Sequence, residues 1–130
     1  GKLFCIELNY VARIINLVEL QSMPGAPSYF KGFLNLHQKE IPVIDLAERL
    51  GFKDNPEYNL NTLIVLCESA GKNLGLIVDA VLNIESIAAE NLQEQELFKG
   101  EAVKYLRGII NTPQGDALLL NMDNLFKLDF

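Results

Sequence analysis

The alternation of apolar and polar positions is short-ranged and mostly of period two, which predicts strands and little helix. Residues 3–8 form a short apolar segment. In residues 10–15, Val11, Ile14 and Ile15 stand at helical spacing, yet three β-branched residues in six oppose a helix because each is stiff at χ1. Residues 17–22 alternate Leu17, Glu19 and Gln21 against Val18, Leu20 and Ser22, the pattern of a strand. Pro24-Gly25-Ala26-Pro27 then forces a turn, since proline fixes φ and lacks the N–H that a ladder needs. Two short strands follow at 33–36 and 41–44, with His37-Gln38-Lys39-Glu40 as their connection.

Asp45-Leu46-Ala47-Glu48 has the spacing of a capping box, so a helix of one or two turns is expected, with Leu46 and Leu50 on its apolar face and Gly51 as its stop. Residues 52–61 are polar, contain Pro56 and predict a mobile loop. Residues 62–68 are apolar on both faces, which predicts a central strand. A turn at 69–73 leads to strands at 74–79 and 80–87, and the Glu/Gln-rich stretch 88–103 reads as loop or short helix. Strands at 105–111 and 117–121 flank a second turn, and Asp123 is expected to cap a terminal helix carrying Leu125 and Phe126. Many short strands separated by turn signals place the chain in the all-β barrel or sandwich class.

The chain also resembles itself. Shifted by 70 residues, Ile6, Leu8, Asn9, Val11 and Ile14 fall on Leu76, Val78, Asp79, Val81 and Ile84. Shifted by 76, Lys31-Gly32-Phe33-Leu34-Asn35 falls on Arg107-Gly108-Ile109-Ile110-Asn111, and Ile44-Asp45-Leu46 on Leu120-Asn121-Met122. Two matches in the same order predict two similar β units, each too small to be secure alone. The paired glycines, Gly32 and Gly108, suit a bulge or a close backbone approach at a barrel corner. A groove between two such units suits a partner peptide or helix.

Composition narrows the function. With 130 residues, 49% hydrophobic and 22% charged, the chain is an ordinary globular one. Eleven basic residues stand against 17 acidic ones, for a net charge of −6, which disfavours phosphate backbones and anionic membrane surfaces as partners. The longest apolar run, Leu63 to Cys67, has five residues, far short of a membrane span. One histidine and two separated cysteines give no metal-ligand spacing, and no nucleophile elbow or phosphate-binding glycine loop is present. No cofactor, metal or catalytic residue is therefore expected, and Cys5 and Cys67 are expected as buried free thiols in a reducing cytoplasm.

Three segments carry a resemblance to a known family: Met23-Pro24-Gly25-Ala26-Pro27, Lys31-Gly32-Phe33-Leu34-Asn35-Leu36 and Ile41-Pro42-Val43-Ile44-Asp45-Leu46. Together they resemble the signature of the CheW-like domain of chemotaxis coupling proteins. Gly75-Leu76-Ile77-Val78-Asp79-x-Val81 is similar to the family's second block, and Arg107-Gly108 with Leu118-Leu119-Leu120 to its last strands. The resemblance implies one CheW-like domain over 1–130, built as two intertwined SH3-like five-stranded β-barrels with one or two short helices. It also implies a non-catalytic cytoplasmic adaptor joining chemoreceptor cytoplasmic tips to the regulatory domain of a CheA-type histidine kinase. The alternatives are a diverged adaptor of another pathway, such as pilus-based surface motility, or a small-ligand binder on the same barrels.

On this resemblance, Val11, Arg13, Ile14, Asn35 and His37 are the candidate partner-binding residues, although Val11 and Ile14 read more simply as core. Pro24, Gly25, Gly32, Pro42, Asp45, Asp79 and Gly108 are structural positions of the motif. The sequence departs from the family pattern at Arg13, where an acid is usual, at His37, where an arginine is usual, and at Gln38, where a glycine is usual. The first two alter the charge offered to a partner. The third predicts a hairpin closed by a longer loop or under strain. The chain begins at the residues matching the family's second strand. The usual preceding strand is absent, whether by how the chain was cut, by natural truncation, or because another chain completes the edge.

Overall fold

The computed structural model describes residues 2–86, 92–93 and 100–128. Its strands form two sheets. In the first, of order β2-β5-β6-β4-β3, the strands are β2 (Val11–Asn16), β3 (Phe30–Leu36), β4 (Lys39–Asp45), β5 (Leu63–Ser69) and β6 (Lys72–Val78). In the second, of order β1-β9-β8-β7, they are β1 (Phe4–Cys5), β7 (Leu92–Gln93), β8 (Leu106–Thr112) and β9 (Gly115–Leu120). Two short helices, α1 (Leu46–Arg49) and α2 (Met122–Leu125), follow β4 and β9.

β5 is apolar on both faces because both are covered. Ile64 and Leu66 enter one core with Leu34, Ile41, Val43 and Ile77. Val65 and Cys67 face a second core shared by both sheets, which gathers Phe30, Ile44, Leu74 and Leu76 with Leu106, Leu120, Met122 and Leu125. Each such side chain contributes roughly 1.5–3 kcal/mol through its burial, so the two sheets hold one another through the second core.

The repeat is real, and its two offsets explain the topology. Adding 76 carries β3, β4 and α1 onto β8, β9 and α2, including the bulge that precedes each glycine: between Phe30 and Gly32 and between Leu106 and Gly108. The Tyr29 carbonyl accepts from Asp45 N at 2.9 Å, and the Tyr105 carbonyl from Asn121 N at 2.7 Å. Adding 70 carries β1 onto β6. Cys5 pairs with Leu119 in parallel, as Gly75 pairs with Val43. Each sheet therefore borrows a strand from the other half of the sequence, and the units are intertwined. A single pair, Gln21 with Phe33, ties the segment leaving β2 to the far strand β3, and Gln93 meets Ile109 at the matching place.

The two glycines stand where a side chain has no room. A Cβ on Gly32 would lie 2.5 Å from the Gln21 carbonyl oxygen, and one on Gly108 would lie 2.6 Å from that of Gln93.

Several sequence expectations need correction. Residues 17–22 make only the Gln21 bridge, and 80–86 form no strand; residue 87 and most of 88–103 lie outside the described residues. Leu92–Gln93, Gly100 and the start of a 3-10 turn at Glu101–Tyr105 are the described parts of that stretch. The capping box is half formed: Asp45 Oδ1 accepts from Glu48 N at 2.9 Å, but Glu48 turns to Lys31 and Ser28. α2 is capped by Asn121, which accepts from Asn124 N at 3.1 Å, and not by Asp123, which lies within its first turn. Cys67 is buried, but Cys5 is only half-buried on its two-residue strand; both are free.

Candidate partner-binding surface

β2 presents the first group of candidate residues. Its partner is β5, with Val11 opposite Cys67 and Ile14 opposite Val65, and a bulge between Val11 and Arg13 takes up the extra residue Ala12. Val11 is half-buried against the shared core. Ile14 is 43% exposed, which corrects the simpler reading of it as core. Arg13 is exposed, with no ion pair or hydrogen bond among the described residues.

An open cleft of about 330 Å³ lies at the start of β2, walled by residues 9–12 on one side and 68–70 on the other. Tyr10 stands in this wall, and its hydroxyl donates to Asp123 Oδ1 at 3.4 Å. Desolvation raises the pKa of that phenol first, and the Asp123 and Glu7 carboxylates raise it further. The cleft offers neutral backbone and small side chains beside one acid, Glu68, which suits docking of a surface.

Asn35 and His37 lie elsewhere on the same sheet. Asn35 is exposed opposite Glu40, and His37 is at the tip of the β3–β4 hairpin, closed between Leu36 and Lys39. His37 and Gln38 have φ of 50° and 64°. Two successive left-handed residues make the tight turn that a two-residue hairpin uses, normally at a cost that glycine avoids. The strain expected from the missing glycine is thus present, and the four-residue connection is not. Three strands separate β2 from β3 in the sheet order, and no described contact joins Arg13 to His37.

The motif positions take varied places. Pro24 and Gly25 form an exposed turn, with Ala26 N donating to the Met23 carbonyl at 3.2 Å. Pro42 sits within β4 opposite Phe33. Asp45 is buried and also accepts from the Tyr58 hydroxyl at 2.8 Å. Asp79 is exposed and pairs with Lys53 at 3.0 Å.

Sequence reasoning missed the contact that spans the two halves. The Arg49 guanidinium lies between the Tyr29 and Tyr105 rings, 4.3 Å from each centroid, and donates to the Tyr105 hydroxyl. The signal was present, because the 76-residue offset that aligns Gly32 with Gly108 also aligns Tyr29 with Tyr105. Among the described residues no group of three or more His, Cys, Asp or Glu is placed to hold a metal ion. No described helix is long and apolar enough to cross a membrane.

A mainly β chain of two intertwined SH3-like units, exposing apolar and charged positions beside a shallow cleft, defines a class of duplicated β proteins. Within that class the chain belongs to the CheW-like domain family, whose pattern matches residues 1–130. It is 31% identical over 125 residues to the probable chemotaxis protein CheW of Rhizobium etli, covering 95% of this chain and 80% of that one. It is 27% identical over 124 residues to the chemotaxis protein CheW of Rhizobium meliloti, covering 95% and 79%. The solved structure of the scaffolding protein TtCheW from Thermoanaerobacter tengcongensis superposes with a TM-score of 0.87 at 26% identity, over 98% of this chain and 87% of that one.

Proposed function

We propose that the chain is a non-catalytic adaptor of chemotaxis signalling, acting in the cytoplasm and coupling chemoreceptor cytoplasmic tips to the regulatory domain of a CheA-type histidine kinase. The observation that carries this reading is the match to the CheW-like family along the whole chain, together with the likeness to a scaffolding protein over 98% of it. The exposed Arg13 and Ile14 on β2 and the exposed Asn35 and His37 on the β3–β4 hairpin supply two partner contacts on one sheet, far enough apart to serve different partners. A few positions carry most of the affinity of an interface, and arginine is among the residue types enriched there.

Pull-down of the intact chain with purified receptor-tip and kinase regulatory-domain fragments tests the reading. Retention of both fragments, weakened for at least one by Ile14→Asp, is expected. Retention of neither would overturn it.

A further inference from the structure

Arg49 has a setting that no other described cation shares. Lys31, Lys53 and Arg107 are each paired with an acid. Lys2, Arg13, Lys39, Lys72, Lys104 and Lys127 have no ion pair among the described residues, but each is exposed and keeps its water. Arg49 also has no acid partner among the described residues, yet it is only partly exposed, in α1, with its guanidinium carbon 4.3 Å from the centroids of Tyr29 and Tyr105. The acid next to it in sequence, Glu48, is committed to Lys31 at 3.0 Å and to Ser28 at 2.8 Å. A charge partly withdrawn from water without a counter-ion is held at a cost that an arriving acid offsets.

The donors needed to receive that acid are free. A guanidinium carries five N–H groups in a rigid fork, and one of them is given to the Tyr105 hydroxyl. Nε and Nη1 have no acceptor among the described residues, and no unpaired side-chain nitrogen among those residues is cut off from solvent. With a ring against each face, approach is confined to the guanidinium plane, where a carboxylate accepts two parallel N–H bonds. The rings also fix the fork beforehand, so little side-chain freedom is lost when it binds. Lys104 adds a second positive charge, its Nζ lying 5.2 Å from the centroid of the same Tyr105 ring.

We propose that Arg49, with Lys104 beside it, is a binding site for one carboxylate, the side chain of an aspartate or glutamate on the surface of a partner protein. A single cation at a surface holds a free acid only weakly, so the rest of the affinity comes from the surface that carries the acid. The site draws Tyr29 and Arg49 from one half of the repeat and Lys104 and Tyr105 from the other. It is separate from the adaptor surface on β2 and the β3–β4 hairpin, and it does not depend on that function.

The test is titration of the intact, isotope-labelled chain, followed by nuclear magnetic resonance through the Nε–H signals of Arg13, Arg49 and Arg107. The end-blocked tripeptide Ala-Glu-Ala is expected to shift the Arg49 signal saturably, and Ala-Gln-Ala is expected to leave it in place. Lys104→Gln removes only an exposed charge and keeps the reporter, and it is expected to weaken binding by about threefold. An Arg49 signal that does not saturate, that answers both peptides equally, or that moves no further than those of Arg13 and Arg107 would overturn the proposal. So would unchanged affinity in Lys104→Gln. Acetate binding more tightly than the peptide would overturn the assignment to a partner side chain, and inorganic phosphate binding more tightly would overturn the assignment to a carboxylate.

Discussion

Cys67 shows how one buried atom sets a pH limit. Burial holds its thiol pKa up at about 12, against an ordinary 9.0. Below pH 9 both folded and unfolded chains keep the proton, and the thiol costs nothing. Above it the unfolded chain releases the proton first, so stability falls as pH climbs from 9 toward 12. Urea unfolding at pH 8 and at pH 10.5 is expected to show a loss on the order of 1–2 kcal/mol that Cys67→Val removes. Asp45 gives a second test. It caps α1 and accepts from Tyr58, whose phenol is pushed up by burial and then by that bond. Because Asn121 caps α2 in the same way, Asp45→Asn is expected to cost less than about 1 kcal/mol. Asp45→Ala, which loses both bonds, is expected to cost about 2 kcal/mol or more. Thermal unfolding of the two variants decides.

At the scale of elements, the bulged strands β3 and β8 depend on their glycines. Gly32→Ala places a Cβ 2.5 Å from a backbone oxygen and also strains a residue at φ +133°. Gly108→Ala meets a contact of 2.6 Å with no such φ. Both are expected to destabilise, by about 1–3 kcal/mol for the crowding alone, and Gly32→Ala by more. Denaturant midpoints would show the order. These glycines, the central β5 and the helix after Asp45 were legible because local pattern and packing agree there. Residues 17–22 were not, because their alternation matches a strand while they make only a single bridge at Gln21 and one bond from Leu17 N to the Thr62 carbonyl. The candidate surface on β2 was half legible. Its residue types stood out, but the exposure of Ile14 depends on which face of β2 the other sheet leaves open, and no local pattern contains that. Arg49 was hidden for a related reason, since its two rings are 20 and 56 positions away.

For the molecule as a whole, Arg49 is a fastener between halves. Removing it with Arg49→Ala is expected to cost about 1–3 kcal/mol, through two ring contacts and the packing of its stem. Arg49→Lys should recover only part, because an ammonium cannot lie flat between two rings. Calorimetric unfolding of both variants checks this. The outward surface bears on partner choice. If the proposed adaptor role holds and the partner offers an acidic patch, Arg13→Glu is expected to weaken binding by roughly 1 kcal/mol or more. Calorimetric titration of the cognate fragment reads the effect, and added salt should diminish it.

The exchange of strands between the two sheets has a consequence in time. The parallel pair of β4 and β6 joins positions 43 and 75, whereas that of β1 and β9 joins positions 5 and 119. Closing the longer loop costs only about 1 kcal/mol more in entropy, but during synthesis it cannot begin until β9 has emerged, after β4 and β6 are free to pair. β1 therefore docks after those strands, beside a nearly finished neighbour. Pulsed thiol labelling of ribosome-bound chains stalled at increasing lengths is expected to find Cys67 protected at shorter lengths than Cys5, so the two native cysteines act as the clock hands of assembly.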